Sequence, residues 1–221
     1  MNVILAGASG LVGGIALREM SDRPGIGSIT TVTRRPVPSA GHKHVPIVAP
    51  IDEWPAQVAK SAPDVGICCL GTTIKAAGSK DAFAEVDLSA VAAFAKSCRD
   101  AGARQFVMVT SVGADPNARN FYLAIKGRAE IAVRDLEFER LDIMRPGLLL
   151  GHRDGPVRVG ERIAMALSPL TDLLTPQVLS RYRSIPAKIV GRAIADCVGA
   201  TEPGVFKHHN DDMRAIRSEL D

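Results

Sequence analysis

The sequence predicts an α/β fold, a doubly wound and mostly parallel sheet with helices on both faces. Two observations carry that expectation. Val3–Ala6, at the extreme N-terminus, is a short apolar run that ends at glycines. Such runs are the pattern of parallel strands buried on both faces. Further short runs rich in Val, Ile and Thr then alternate with helix-like segments along the chain. Alternation at this spacing implies βαβ units joined by right-handed crossovers.

Taken in order, Val3–Ala6 is the first strand and a helix follows from about Leu11 to Met20. Ser28–Thr33 reads as the second strand and Val45–Val48 as the third. A stronger fourth, Val65–Leu70, is bounded by Pro63-Asp64 and Gly71. From about Lys80 to Ala101 apolar positions repeat at helical spacing, ending near Gly102. Gln105–Val109 is the next strand, a helix runs from about Phe121 to Leu136, and Leu141–Met144 is a strand ended by Pro146-Gly147. Helix-like segments recur near Arg158–Leu167 and Ala187–Ala200. Val205–His208 is a last short strand before a charged terminal helix, whose start Asp211-Asp212 would cap. Without an internal repeat or interdomain linker, residues 1–221 are expected to form one domain.

Composition narrows the function classes. With 221 residues, 46% of them hydrophobic, the chain can bury a core without disulfides or metal staples. The net charge is +3 and no run of five like charges occurs, so no nucleic-acid face is expected. Apolar stretches fall short of the roughly 18 residues of a membrane span, so no membrane partner is expected. The N-terminus lacks a basic segment, a long apolar region and a cleavage site, which leads us to expect a cytoplasmic protein. Cys68, Cys69, Cys98 and Cys197 fit neither a zinc site nor a disulfide framework and read as buried thiols. His42 and His44, and the pair His208-His209, lack ligand partners at metal spacing, so no metal is expected. Trp54, before Pro55, reads as a packing residue.

The turn after the first strand is Gly7-Ala8-Ser9-Gly10-Leu11-Val12-Gly13, a G-x-x-G-x-x-G arrangement between a strand and a helix. Glycines permit a tight turn, a close backbone approach to a pyrophosphate, and helix packing against the sheet. The helix N-terminus then offers unpaired N–H groups to the phosphates. A Rossmann-type dinucleotide site is the expected result. NAD-binding members of this fold place Asp or Glu after strand two, about 20 residues on, to bond the ribose 2′-hydroxyl. This chain has Thr33-Arg34-Arg35-Pro36 there. Guanidinium groups suit a 2′-phosphate that a carboxylate would repel, so Arg34 and Arg35 favour NADP(H).

Tyr122 and Lys126 stand four residues apart on a predicted helix, about one turn, so both can emerge on one face. A neighbouring ammonium favours a phenolate, which makes Tyr122 a candidate acid or base for a carbonyl/alcohol pair. Ser111, just beyond a strand end, can polarise the substrate oxygen at the carboxyl edge of the sheet, where ligands bind.

With GASGLVGG, TRRP, DVGICCLGTT, VTSVGAD, FYLAIKGRAE and MRPGLLLG in that order, the chain resembles the short-chain dehydrogenase/reductase superfamily. More narrowly, it looks like the atypical, Tat-interacting-protein-like branch of NAD(P)H-binding Rossmann proteins. These motifs span most of residues 1–151. The resemblance implies that Ser111, Tyr122 and Lys126 are catalytic, with Lys126 also bonding the nicotinamide ribose. It further places Leu70, Gly71, Thr72, Thr110, Pro146 and Gly147 along the cofactor, and a homodimer is common among such proteins. Extended members of the superfamily often carry Asn in the long middle helix, where this chain has Val86-Asp87. Many relatives have Asp after strand three, where this chain runs Val48-Ala49-Pro50. The segment from about 151 to 221 would supply a small substrate cap. The expectation is an NADP(H)-dependent oxidoreductase of a small carbonyl or alcohol. Two alternatives stay open: a cofactor-binding regulator with a protein partner, and a sugar-nucleotide epimerase or dehydratase.

Overall fold

Strands apolar on both faces must be covered on both faces, and the architecture follows from that requirement. The computed structural model describes residues 1–151 and 182–216. In chain order its elements begin with β1 (Asn2–Ala6), α1 (Leu11–Ser21), β2 (Ser28–Thr33), β3 (His44–Val48), α2 (Trp54–Ser61) and β4 (Val65–Cys68). Next come α3 (Ile74–Ala77), α4 (Lys80–Ala84), a π-helical turn (Glu85–Ser89), α5 (Ala90–Asp100), β5 (Gln105–Val109), α6 (Phe121–Arg134) and β6 (Arg140–Met144). The described part closes with β7 (Leu149–Leu150), β8 (Ile185–Pro186), α7 (Ala187–Cys197), β9 (Gly204–His208) and α8 (Asn210–Ala215).

Seven strands form one sheet in the order β3-β2-β1-β4-β5-β6-β9, and every neighbouring pair is parallel. The chain starts mid-sheet, winds outward through β2 and β3, then returns to β4 on the other side of β1. That reversal between β1 and β4 is the topological switch point, where open α/β sheets bind ligands beyond the strands' carboxyl ends. Successive residues alternate between two apolar layers. Val3, Leu5, Ile29, Ile67 and Val107 pack with α1 and α7, whereas Ile4, Ala6, Val32, Phe106 and Met108 pack with α2, α5 and α6.

The helix expected over 80–101 is present as α4 and α5, but the π turn interrupts it. Helix α2 was not expected. Its Pro55 lies in the first turn, where proline costs no hydrogen bond. Trp54 is buried as a packing residue, and its indole N–H donates to Ala49 O at 3.0 Å. The helix expected near Arg158–Leu167, and residues 152–181 and 217–221 of the expected cap, lie outside the described residues. Among those described, no helix is long and apolar enough to cross a membrane.

Candidate functional site

The glycine turn has no room for side chains where it matters. Gly7 adopts a φ of +88°, and a Cβ there would meet Cys69 C and O at 2.5 Å and Leu70 N at 2.8 Å. The turn is thus pressed against the end of β4. A Cβ on Gly13 would collide with Gly7 C at 2.8 Å and with Gly7 O more closely still. Gly10 N donates to Gly7 O at 2.9 Å, closing the turn. Ala8 and Val12 turn their side chains into the core, while Ser9 and Gly10 are exposed and Leu11 is half-buried. Helix α1 begins without a side-chain cap and without an acid in its first turn. Its first N–H groups and dipole therefore face the switch point uncompensated, a favourable setting for an anion.

Arg34 and Arg35 follow β2 at the same edge of the sheet. Both are exposed, and neither forms an ion pair or hydrogen bond among the described residues. A tight backbone cradle, an open helix N-terminus and two uncommitted guanidiniums fit a phosphorylated dinucleotide.

The loop after β5 and the helix α6 bring the other three expected residues to this edge. Ser111 is half-buried, and among the described residues its hydroxyl makes only a long contact of 3.3 Å to Val112 O. Asn120 caps α6 by accepting from Leu123 N at 3.2 Å. Tyr122, half-buried, packs its ring on Phe83 with centroids 5.5 Å apart. Gly127 sits one residue beyond Lys126, and a Cβ there would lie 2.7 Å from Asp115 Cα. The absence of that atom lets the loop from Ser111 lie directly on α6, a packing reason for a helix-interior glycine.

Lys126 is buried, with Nζ 2.7 Å from Asp87 Oδ1; their side chains are 6% and 0% exposed. The approach is an ion contact rather than an aligned hydrogen bond. Asp87 Oδ2 accepts from Thr72 N at 2.9 Å. Asp87 was not among the expected site residues. Its signal was available in the sequence, because Phe83, Asp87, Val91, Phe94 and Cys98 mark one helix stripe and only Asp87 breaks its apolarity.

The remaining expected cofactor residues divide. Gly71 is exposed, Leu70 and Thr72 are half-buried, and all three follow β4 beside the glycine turn. Thr110 is buried and donates to Glu130 Oε1 at 2.7 Å. Glu130 also accepts from Arg145 Nε at 2.9 Å and pairs with Arg145 Nη2. The Thr110 hydroxyl and the Arg145 guanidinium are therefore engaged in joining β5, α6 and β6. Pro146 is buried, its carbonyl accepting from Val112 N at 2.9 Å. Gly147 N donates to Asn210 Oδ1 at 3.1 Å, so that amide already has a protein partner. A cavity of about 220 Å³ opens elsewhere, among Glu130, Arg134, Ile143 and Lys207, and none of the expected site residues lines it.

Asp142, Cys197 and His208 lie close enough to suggest a metal cluster. Arg140 donates twice to Asp142, at 2.8 and 2.9 Å, Gln105 Nε2 once at 2.9 Å, and His208 Nε2 is 2.8 Å from Oδ1. The carboxylate is thus already saturated with protein donors, and the cluster is a structural tie between β5, β6 and β9. Burial pushes the Asp142 carboxyl up, but bonds from His208, Arg140 and Gln105 outweigh it and hold the group below the ordinary range. His44 is a second structural histidine. Its Nδ1 accepts from Ala40 N at 3.2 Å, which leaves Nε2–H facing Thr31 Oγ1 at 2.9 Å. Burial lowers its pKa. All four cysteines are free thiols. Burial pushes Cys68 up to about 12 and raises Cys69, Cys98 and Cys197 as well, so these are inert side chains.

No family model matches the chain. Individual proteins do. A protein of Meyerozyma guilliermondii named FMP52, mitochondrial, is 38% identical over 156 residues, covering 70% of this chain and 67% of its own length. The Candida albicans protein of the same name is 32% identical over 202 residues, 89% of this chain and 87% of its own. HTATIP2 of Rattus norvegicus is 34% identical over 169 residues, 74% and 68% of the two chains. Among solved structures, MoeE5 in complex with UDP-glucuronic acid and NAD superimposes with a TM-score of 0.72 at 15% identity, covering 95% of this chain and 76% of that one. A Bacillus halodurans protein described as an NAD-dependent epimerase/dehydratase gives 0.69 at 21% identity, covering 98% of both. These two likenesses establish the Rossmann architecture. The mitochondrial names of several FMP52 relatives overturn the expected cytoplasmic location. Free thiols suit any reducing compartment.

Proposed function

The chain belongs to the family of FMP52 and HTATIP2, an atypical branch of the NAD(P)-binding short-chain dehydrogenase/reductases, and from that premise we propose that it is an NADP(H)-dependent oxidoreductase of a small carbonyl or alcohol. One observation carries the reading. The uncapped, glycine-cradled N-terminus of α1 shares the carboxyl edge of the sheet with two uncommitted arginines and with Ser111, Tyr122 and Lys126.

When bound, the dinucleotide supplies the hydride chemistry, and the protein supplies orientation and electrostatics. The glycine turn and the first N–H groups of α1 hold the pyrophosphate. Arg34 and Arg35 hold the 2′-phosphate through charge-assisted hydrogen bonds. Ser111 donates a hydrogen bond to the substrate oxygen, and Tyr122 gives or takes the proton at that oxygen. Lys126, one helical turn beyond Tyr122 on α6, bonds the nicotinamide ribose.

The test is NADPH oxidation across a panel of small aldehydes and ketones by wild type and Tyr122→Phe. Wild-type turnover that falls about 100-fold or more in the variant supports the reading. If neither protein turns over any carbonyl while NADPH binds tightly, a cofactor-reading regulator replaces it.

A further inference from the structure

Asp87 is a carboxylate on the buried stripe of the long helix between β4 and β5, flanked by Phe83 and Val91. A buried ion costs several kcal/mol unless it is paired and hydrogen-bonded. Both of its oxygens are engaged, and each by a different part of the dinucleotide cleft. Oδ1 faces Lys126 Nζ on α6, and Oδ2 holds the Thr72 amide in the loop after β4. Gly71 completes the arrangement: a Cβ there would stand 3.6 Å from both Asp87 Oδ1 and Lys126 Nζ. The π turn Glu85–Ser89 carries Asp87 at this point, and π insertions in α-helices recur at functional sites. The Cys68 thiol nearby is buried and uncharged, so it offers Lys126 no counter-charge.

We propose that Asp87 is a positioning residue of the cleft: one carboxylate fixes Lys126 in place, one helical turn from Tyr122, and binds it to the loop 70–72 that borders the dinucleotide. This deepens the proposed function and rests on it for the role of Lys126. A purely structural carboxylate would be needed only to satisfy Thr72 N–H. Asp87→Asn separates the two roles. The amide keeps the volume and still accepts from Thr72, but it turns an N–H₂ group toward the Lys126 ammonium and removes the counter-charge.

The experiment measures thermal stability and NADPH dissociation constants of wild type, Asp87→Asn, Lys126→Met and the double variant at neutral pH. Asp87→Asn should cost more stability in the wild-type background than beside Lys126→Met, where the amide faces no buried ammonium. Its NADPH dissociation constant at neutral pH should rise roughly tenfold or more, the equivalent of one lost charged hydrogen bond. The double variant should regain stability without regaining NADPH affinity. Wild-type NADPH affinity in Asp87→Asn, or equal stability deficits in the two backgrounds, overturns the proposal. Failure of wild type itself to bind NADPH sinks the functional reading instead, while a deficit that depends on the Lys126 background would still uphold the Asp87–Lys126 coupling.

Discussion

Replacing Gly13 by Ala adds one methyl group at the most crowded point of the glycine turn. The new Cβ would lie 2.8 Å from Gly7 C, whereas carbon atoms settle at about 3.5–4.0 Å, so the turn must retreat by about 1 Å. It cannot retreat freely. Gly7 is pressed against the Cys69 backbone on its other side, and its carbonyl accepts from Gly10 N at 2.9 Å. Overpacking of this kind costs about 1–3 kcal/mol, offset in part by the roughly 1 kcal/mol that Ala gains over Gly inside a helix. Gly14→Ala is the matched control, because its Cβ would meet Ala8 O at 3.1 Å and needs a shift of only a few tenths of an ångström. Fluorescence titration with NADPH, alongside thermal unfolding, reads both variants. Gly13→Ala should weaken NADPH binding about tenfold or more, and Gly14→Ala should stay within about twofold of wild type. A Gly13→Ala protein of unchanged stability and unchanged NADPH affinity would refute the assignment of this turn to the pyrophosphate.

Two further outcomes follow from the same geometry. Arg34→Ala combined with Arg35→Ala should raise the NADPH dissociation constant about 10- to 100-fold, the range of one or two charged hydrogen bonds, and leave NADH binding unchanged in parallel titrations. Acid should weaken the fold through Asp142 and His44, because both have folded-state pKa values below their ordinary ones. The Asp142 contribution is present above the ordinary carboxylate range and is lost as pH falls through its lower folded value. The His44 contribution is present above the ordinary histidine range and lost on acidification below it. Asp142→Asn should therefore destabilise most near neutrality, with its deficit shrinking at acid pH, as urea unfolding at stepped pH would reveal.

The parts of the site that were legible are those whose physics is local. Gly7, Gly10 and Gly13 declare a turn within seven residues, and the Arg34-Arg35 pair sits at a fixed distance from it. Tyr122 and Lys126 share a helix face by spacing alone. Contacts between distant segments were not legible. Asp87 and Lys126 meet across two helices, and their pairing could be suspected only from a charge on an apolar stripe. Thr110 reads as a cleft residue until α6 brings Glu130 against it. Asp142 and His208, on β6 and β9, become neighbours only when the last strand adds to the sheet. Helix α2 was hidden by its proline and single tryptophan, since Pro55 breaks a helical pattern everywhere except in the first turn, where it stands.

Direct titration of the wild-type chain with NADPH and NADH tests whether this cleft holds a 2′-phosphorylated dinucleotide. Saturable NADPH binding at least about tenfold tighter than NADH, the share of one guanidinium–phosphate contact, is the expected result. Equal affinity, a preference for NADH, or no binding of either would contradict it.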